Sequence, residues 1–306
     1  MTSPRTIDLG AEVREALDAG RAVVALETSV IGQGLPHPRN LEAVERIERA
    51  VRERRAVPGW VAVLDGAPTV GISAEDVRRI AEPGASVKVA RRDLPAAAAA
   101  GAVGATTVSA TLWAARAAGV HVAATGGIGG VHPGGGDVSA DLVELASTPG
   151  LLVCAGPKSI VDPVRTAERL EEIGVLLVGF GTHRLPFFFA RESDVELPVR
   201  VDSAAEAASM LAAAEGLGTP STIVVCNPVP ASHALDPAEV DRAVRAATAR
   251  AQNEGVRGRE LTPYLLARVA EETEGASLEA NLALLEANAS LAAEIAVERS
   301  LLARAP

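Results

Sequence analysis

Aromatic side chains are nearly missing from this chain: two Trp, one Tyr and four Phe among 306 residues. Its core must therefore be close-packed from Ala, Val, Leu and Ile, which make up most of the 48% hydrophobic content. Lysine is scarcer still. Of the 29 basic residues only Lys88 and Lys158 are lysines and the rest are arginines, so a plain positive charge is almost always supplied by a guanidinium. Net basic charge is lacking too, since the formal charge is -10. This argues against a broad nucleic-acid or anionic-membrane surface, because either partner needs a basic face. Two cysteines, Cys154 and Cys226, each close an apolar run and no CxxC or Cys/His spacing exists. That pattern points to buried strand thiols rather than a disulfide framework or structural zinc. The opening MTSPRTIDLG has no signal-peptide core, and no run reaches the roughly 18 apolar residues of a spanning helix. The expectation is a soluble cytoplasmic protein.

Short β-branched runs alternate with longer helical patterns. VVAL (23–26), WVAVLD (60–65), VKVA (87–90), VHVAAT (120–125), LLVCA (151–155), VLLVGF (175–180) and TIVVCN (222–227) read as strands. Ala/Glu/Arg-rich stretches at 38–55, 162–173 and 203–215 carry helical spacing between them. Strands apolar on both faces and separated by helices predict an α/β layered fold with a largely parallel or mixed sheet. From Asp236 onward the pattern is helical, with breaks expected at Thr262-Pro263 and near Gly275 and one long Ala/Leu helix from Ser277 to Ala303. No linker divides the chain, so a single domain over 1–306 is expected. Polar punctuation falls at strand ends, where open α/β sheets bind ligands.

Several residues could carry chemistry there. Lys158 follows a buried-type strand and a Gly-Pro turn, with Ser159 or Asp162 placed to cap the next helix. A partly desolvated amine can offer its lone pair to a carbonyl, which arginine cannot; chance survival of a surface lysine is the plainer reading. Lys88, with Arg91 and Arg92, makes either a phosphate or carboxylate pocket or a solvated edge. Glu27 at the first strand end is a candidate general acid or else an N-cap or surface charge. The glycine-rich stretch from Ala124 to Leu142 matches neither GxGxxG nor a P-loop, yet its backbone could approach an anion. Asp137 and Asp141, four apart before a helix, suit a hard divalent cation, unless Asp137 merely caps that helix. His132 reads as loop structure.

Seven ordered segments carry a resemblance: ETSVIGQGLPHPRN, VKVARRDLP, GATTVSATLWAA, ATGGIGGVH, DVSADL, CAGPKSIVD and LTPYLLARV. Together they resemble the pseudouridine-5'-phosphate glycosidase family, also called indigoidine synthase A-like, over about residues 7 to 300. The resemblance implies a three-layer α/β/α sandwich with a central mixed, largely parallel sheet, assembled as a homotrimer. It implies reversible cleavage of the C1'–C5 bond of pseudouridine 5'-phosphate to uracil and ribose 5-phosphate. Lys158 matches the nucleophile that forms an imine at C1', and Glu27 the proton donor. Lys88, Val108, Ser139, Ala140, Asp141 and Asn281 match substrate-binding positions, and Asp137 the manganese ligand. A relative joining ribose 5-phosphate to an aromatic carbon nucleophile is the alternative, and a non-catalytic sugar-phosphate binder the least favoured. The sequence departs from the family at Gln33, where histidine is common, in the short PGGG loop after His132, and in RLPFFFARES. These departures bear on the metal's coordination and on the group joined to C1'.

Overall fold

All seven apolar runs form strands in the computed structural model, which describes residues 7–133 and 136–303. The first half runs β1 (Asp8–Leu9), α1 (Ala11–Asp18), β2 (Val23–Glu27), α2 (Arg39–Glu53), β3 (Val57–Leu64), β4 (Ala67–Val70), α3 (Ala74–Ala81), β5 (Val87–Val89), α4 (Leu94–Ala99), β6 (Gly104–Thr106), α5 (Val108–Ala117) and β7 (Val122–Ala124). The second half adds α6 (Ala140–Ser147), β8 (Gly150–Cys154), α7 (Pro163–Glu172), β9 (Leu177–Phe180), β10 (Val199–Val201), α8 (Ala204–Leu217), β11 (Thr222–Cys226), α9 (Pro237–Asn253), α10 (Leu261–Glu272) and α11 (Ala276–Leu302). The main sheet order is β1-β4-β3-β2-β7-β8-β11-β9-β10, with β5 paired to β6 and β6 to β3. Among the strand pairings of the described residues, β3–β4 and β3–β6 alone are antiparallel.

Alternation along each central strand splits the core in two. Val24 and Leu26 of β2, Leu151 and Val153 of β8, and Ile223 and Val225 of β11 pack toward α2, α8 and α11. Val23, Ala25, Leu152, Cys154, Val224 and Cys226 face α1, α5, α6 and α7 instead. With both faces covered, the interior positions of these strands are apolar and polar residues are confined to their ends, which is why they stand out in the sequence. The result is the three-layer α/β/α sandwich.

Four short strands escape the sequence reading: β1, β4, β6 and β10. For β4 a signal exists, since Asp65 and Gly66 both take positive φ (47° and 79°) in a two-residue hairpin between β3 and β4. Asp-Gly suits that primed turn. Cys154 and Cys226 lie opposite each other in the β8–β11 register, buried and reduced. The neighbouring Cys154 thiol, together with burial, holds Cys226 well above the usual thiol range.

Two expectations for the last third need correction. Thr262-Pro263 does not break a helix; it lies in the first turn of α10, where the amide that proline lacks has no partner to lose. Helix α11 does reach the length and apolarity of a bilayer-spanning helix, yet most of its apolar window is buried within the fold. It packs on α2, α8 and strands β2, β7 and β8. Three of its carboxylates face arginines of α2 and the turn after it: Glu279 meets Arg39, Glu286 meets Arg49 at 3.2 Å and Glu294 meets Arg54 at 3.1 Å. Exposed pairs of this kind contribute about 0–1 kcal/mol each and chiefly fix the register of the two helices.

Candidate active site

The carboxyl ends of the parallel strands β2, β7 and β8 open onto one two-lobed cleft. Glu27 ends β2, Thr125 to Gly127 follow β7, and Lys158 lies four residues beyond β8. The lobes share Glu27, Ser29, Lys88, Lys158 and Thr262. One lobe adds Gln33, Phe188, Pro263, Leu266 and Asn281. The other adds Arg92, Val108, His132, Asp137, Ser139, Ala140 and Asp141. All nine residues that the resemblance matches to site positions therefore line this cleft.

Glu27 is 4% exposed, and both its carboxylate oxygens are held. Ser29 Oγ donates to Oε2 at 2.8 Å and Thr125 Oγ1 donates to Oε1. Two hydroxyl donors orient the carboxylate, and either can rotate to accept a proton if the acid is neutral. Asn288 of α11 steadies this arrangement by donating to the carbonyls of Thr125 (2.9 Å) and Gly126 (3.3 Å) while accepting from Asn227. Five residues after β2 form a π-helical turn, Val30–Gly34, pinned by buried Asn40 donating to Ile31 O at 2.8 Å and Ala81 O at 2.7 Å. Such turns are frequent at functional sites.

Lys158 is half-buried in the turn between β8 and α7. Asp162 caps α7 by accepting from the Arg165 amide at 3.0 Å. Ser159 does not cap it; its hydroxyl donates to Phe187 O at 3.1 Å and ties the 187–189 segment to the Lys158 turn. Phe188 there adopts φ 56°, a conformation that is strained for a bulky residue and is tolerated where surrounding packing imposes it. Its ring lies over Gly127, where an added Cβ would sit 2.6 Å from the ring. Gly127 is thus required for close approach.

The second lobe gathers the N-termini of α5 and α6, the ends of helices that favour anions. Ser139, not Asp137, caps α6, accepting from the Asp141 amide at 3.2 Å. Asp141 and Asp137 do not act as a carboxylate pair. Asp141 is buried and accepts from the amides of Ser109 (3.2 Å) and Gly129 (3.0 Å), whereas Asp137 is exposed. The Gly129 amide is thereby spent inside the protein, so this part of the glycine stretch serves packing against Ser139 rather than an anion cradle. Gly134 and Gly135 of the short loop lie outside the described residues. Arg91 and Arg92 also part company. Arg91 donates to both oxygens of buried Glu144 (2.9 and 2.8 Å), leaving Arg92 and Lys88 to the lobe. The His132 amide donates to Asp137 O at 2.9 Å across the loop. Burial holds the His132 imidazole below its usual range; Asp137 opposes this, and Lys158 and Lys88 act with it.

The residues to which the sequence assigns no part in the site are Ser29, Thr125, Phe188, Thr262 and Asn288; Gln33 is marked there only as a departure from the family's common histidine. Thr125 falls in a recognised strand-end segment, but its partner Glu27 is 98 positions away, and nothing local announces that pairing.

A cleft with one oriented carboxylic acid, a half-buried amine and two helix N-termini can bind a phosphorylated sugar, donate a proton to it and attack its carbonyl carbon. Comparison with known proteins identifies the family. The family model described as indigoidine synthase A like protein matches residues 12–298. The chain is similar to the pseudouridine-5'-phosphate glycosidase of Sorangium cellulosum (strain So ce56), 46% identical over 298 residues covering 96% of this chain and 94% of that one. It is 45% identical over 305 residues to the protein of the same name from Escherichia coli (strain K12), covering 98% of each. The crystal structure of an indigoidine synthase A (IdgA)-like protein from Thermotoga maritima MSB8 matches at TM-score 0.90 and 36% identity, over 98% of this chain and 99% of that chain. The prealnumycin C-glycosynthase AlnA, solved in complex with ribulose 5-phosphate, matches at TM-score 0.90 and 34% identity with the same coverage. With the fold shared throughout and nearly the whole length matched, this chain belongs to the indigoidine synthase A like family.

Proposed function

We propose that this protein is an enzyme that reversibly cleaves the C1'–C5 bond of pseudouridine 5'-phosphate, giving uracil and ribose 5-phosphate. The observation that carries the reading is the convergence of Glu27, Lys88 and Lys158 on the shared part of one cleft. The phosphate would sit against the N-termini of α5 and α6, near Val108, Ser139 and Ala140, with Lys88 supplying charge. Glu27 donates a proton to the ribose ring oxygen as the ring opens, and Lys158 bonds to C1'. Uracil takes a proton at C5 and leaves, the C1' imine of Lys158 remains, and water releases ribose 5-phosphate and the free amine. Condensation is the reverse sequence. The chain's similarity to the glycosidases, at 45–46% identity, exceeds the 34% to prealnumycin C-glycosynthase, so joining an aromatic natural-product carbon to ribose 5-phosphate stands second. The homotrimer implied by the resemblance is the assembly we propose.

Incubating the protein with uracil, ribose 5-phosphate and manganese and separating the mixture by chromatography tests this. Pseudouridine 5'-phosphate is the expected product. Absence of product, with ribose 5-phosphate still captured on Lys158 by borohydride, would mean that the aglycone is not uracil.

Manganese belongs to the proposal as well. Among the described residues no three His, Cys, Asp or Glu side chains gather to hold a cation, so a closed protein cage does not fit. One carboxylate completed by waters and phosphate oxygens does fit, as is common for hard divalent cations at phosphate sites. Asp137, exposed on the wall of the phosphate lobe, would hold it. When bound, the ion would offset phosphate charge. Calorimetric titration of Mn2+ in the presence of ribose 5-phosphate should show affinity falling roughly tenfold or more in Asp137→Asn. Unchanged affinity would remove Asp137 from the metal site.

A further inference from the structure

One lobe of the cleft contains two side-chain carbonyl oxygens that no protein group satisfies. Gln33 Oε1 and Asn281 Oδ1 are both buried without a hydrogen-bond partner, and both residues line this lobe. Bare buried acceptors destabilise a fold, and two in one pocket point to a ligand that donates.

The other end of Gln33 fixes its amide. Nε2 donates to Ser86 O at 3.3 Å and lies 3.1 Å from Ser86 Oγ. A backbone carbonyl can only accept, so the nitrogen must face Ser86 and the oxygen must face away from it. Val30, Phe188, Pro263 and Leu266 supply apolar walls to the same lobe. Apolar walls with a few fixed polar atoms describe a slot for a small planar ring. The helix N-termini and Asp137, which suit the phosphate, belong to the opposite lobe.

We propose that Gln33 is a specificity-determining residue, its Oε1 accepting a hydrogen bond from a ring N–H of the carbon-linked base. With Asn281 as a second acceptor, the lobe selects a cyclic ureide or lactam over an aromatic ring that lacks such donors. This rests on the assignment of a carbon-linked base to the cleft. A competing role exists for Gln33, because Ser86 stands two residues before Lys88 and the same amide could simply hold that strand in place.

Condensation of ribose 5-phosphate with uracil, 1-methyluracil and 3-methyluracil by the wild type and Gln33→Met separates the two roles. Methylating the nitrogen that faces Gln33 should lower kcat/KM roughly tenfold or more in the wild type, since a site built to accept from an N–H discriminates strongly against its loss. In Gln33→Met, uracil itself should weaken roughly tenfold and the methylation penalty should shrink toward threefold or less. KM for ribose 5-phosphate and its borohydride capture on Lys158 should stay within about twofold. If Gln33→Met no longer captures ribose 5-phosphate, Gln33→Leu takes its place. An undiminished methylation penalty overturns the proposal. If, in addition, KM for ribose 5-phosphate rises, Gln33 is a strut for the Lys88 strand. A wild type that captures ribose 5-phosphate yet joins no uracil overturns the uracil assignment and this inference with it.

Discussion

Lys158→Arg should abolish cleavage of pseudouridine 5'-phosphate, lowering kcat on the order of 10⁴-fold or more, while leaving the fold unchanged. The choice of arginine matters. It keeps the positive charge and most of the length of the side chain, so a lysine that only paired with phosphate would survive the change with modest loss. A guanidinium stays protonated and is a poor nucleophile, so an amine that bonds to C1' would not survive it. The position is suited to attack: Lys158 is half-buried on the turn after β8 and lines both lobes of the cleft. The Ser159 and Asp162 hydrogen bonds that shape the turn do not use the Lys158 side chain. Borohydride with ribose 5-phosphate should therefore leave one covalent adduct per wild-type chain, mapped to the peptide containing Lys158, and none in Lys158→Arg. Activity retained within about tenfold, or an adduct on Lys88, would reverse the roles of the two lysines.

The placement of Lys158 and Glu27 on one cleft is largely open to a reader of the sequence, and the reason is physical. A parallel strand buried on both faces must be apolar at every position, so β2, β8 and β11 announce themselves, and their ends mark where ligands bind. Glu27 stands out because it directly ends such a run, and Lys158 because it follows one after a Gly-Pro turn and is one of only two lysines. The edge strands β1 and β10 are two and three residues long and carry no comparable signal. The partners of the site residues were hidden for another reason. Thr125 and Ser29 orient Glu27, and Asn288 orients the segment carrying Thr125, through contacts the chain makes only after folding. Arg91 and Arg92 look alike in sequence, but buried Glu144 on α6 takes only the first. Asp137 and Asp141 look like a pair until the amides of Ser109 and Gly129 engage the second. Gln33 is marked in the sequence as a departure from the family's common histidine, but the buried free oxygen that gives the change a consequence is visible only in the fold.

Glu27→Gln separates proton donation from binding in a way the lysine variant cannot. The amide is nearly isosteric with the acid, and the Ser29 and Thr125 hydroxyls that donate to the carboxylate can also accept, so the local network can be rebuilt around an NH2 group. What the amide cannot do is give up a proton. In pseudouridine 5'-phosphate the ring oxygen is an ether, which does not open unaided, so cleavage should fall roughly 10²–10⁴-fold, the usual contribution of a positioned acid. Ribose 5-phosphate is a hemiacetal and reaches its open aldehyde in solution without the enzyme. Its capture on Lys158 by borohydride should therefore survive in Glu27→Gln with little change in the concentration giving half-maximal labelling. A variant that loses cleavage and capture together would make Glu27 a residue that shapes the sugar site, and the proton would have to come from another group on the cleft wall. Cleavage lost with capture intact assigns the proton to the acid buried at the end of β2.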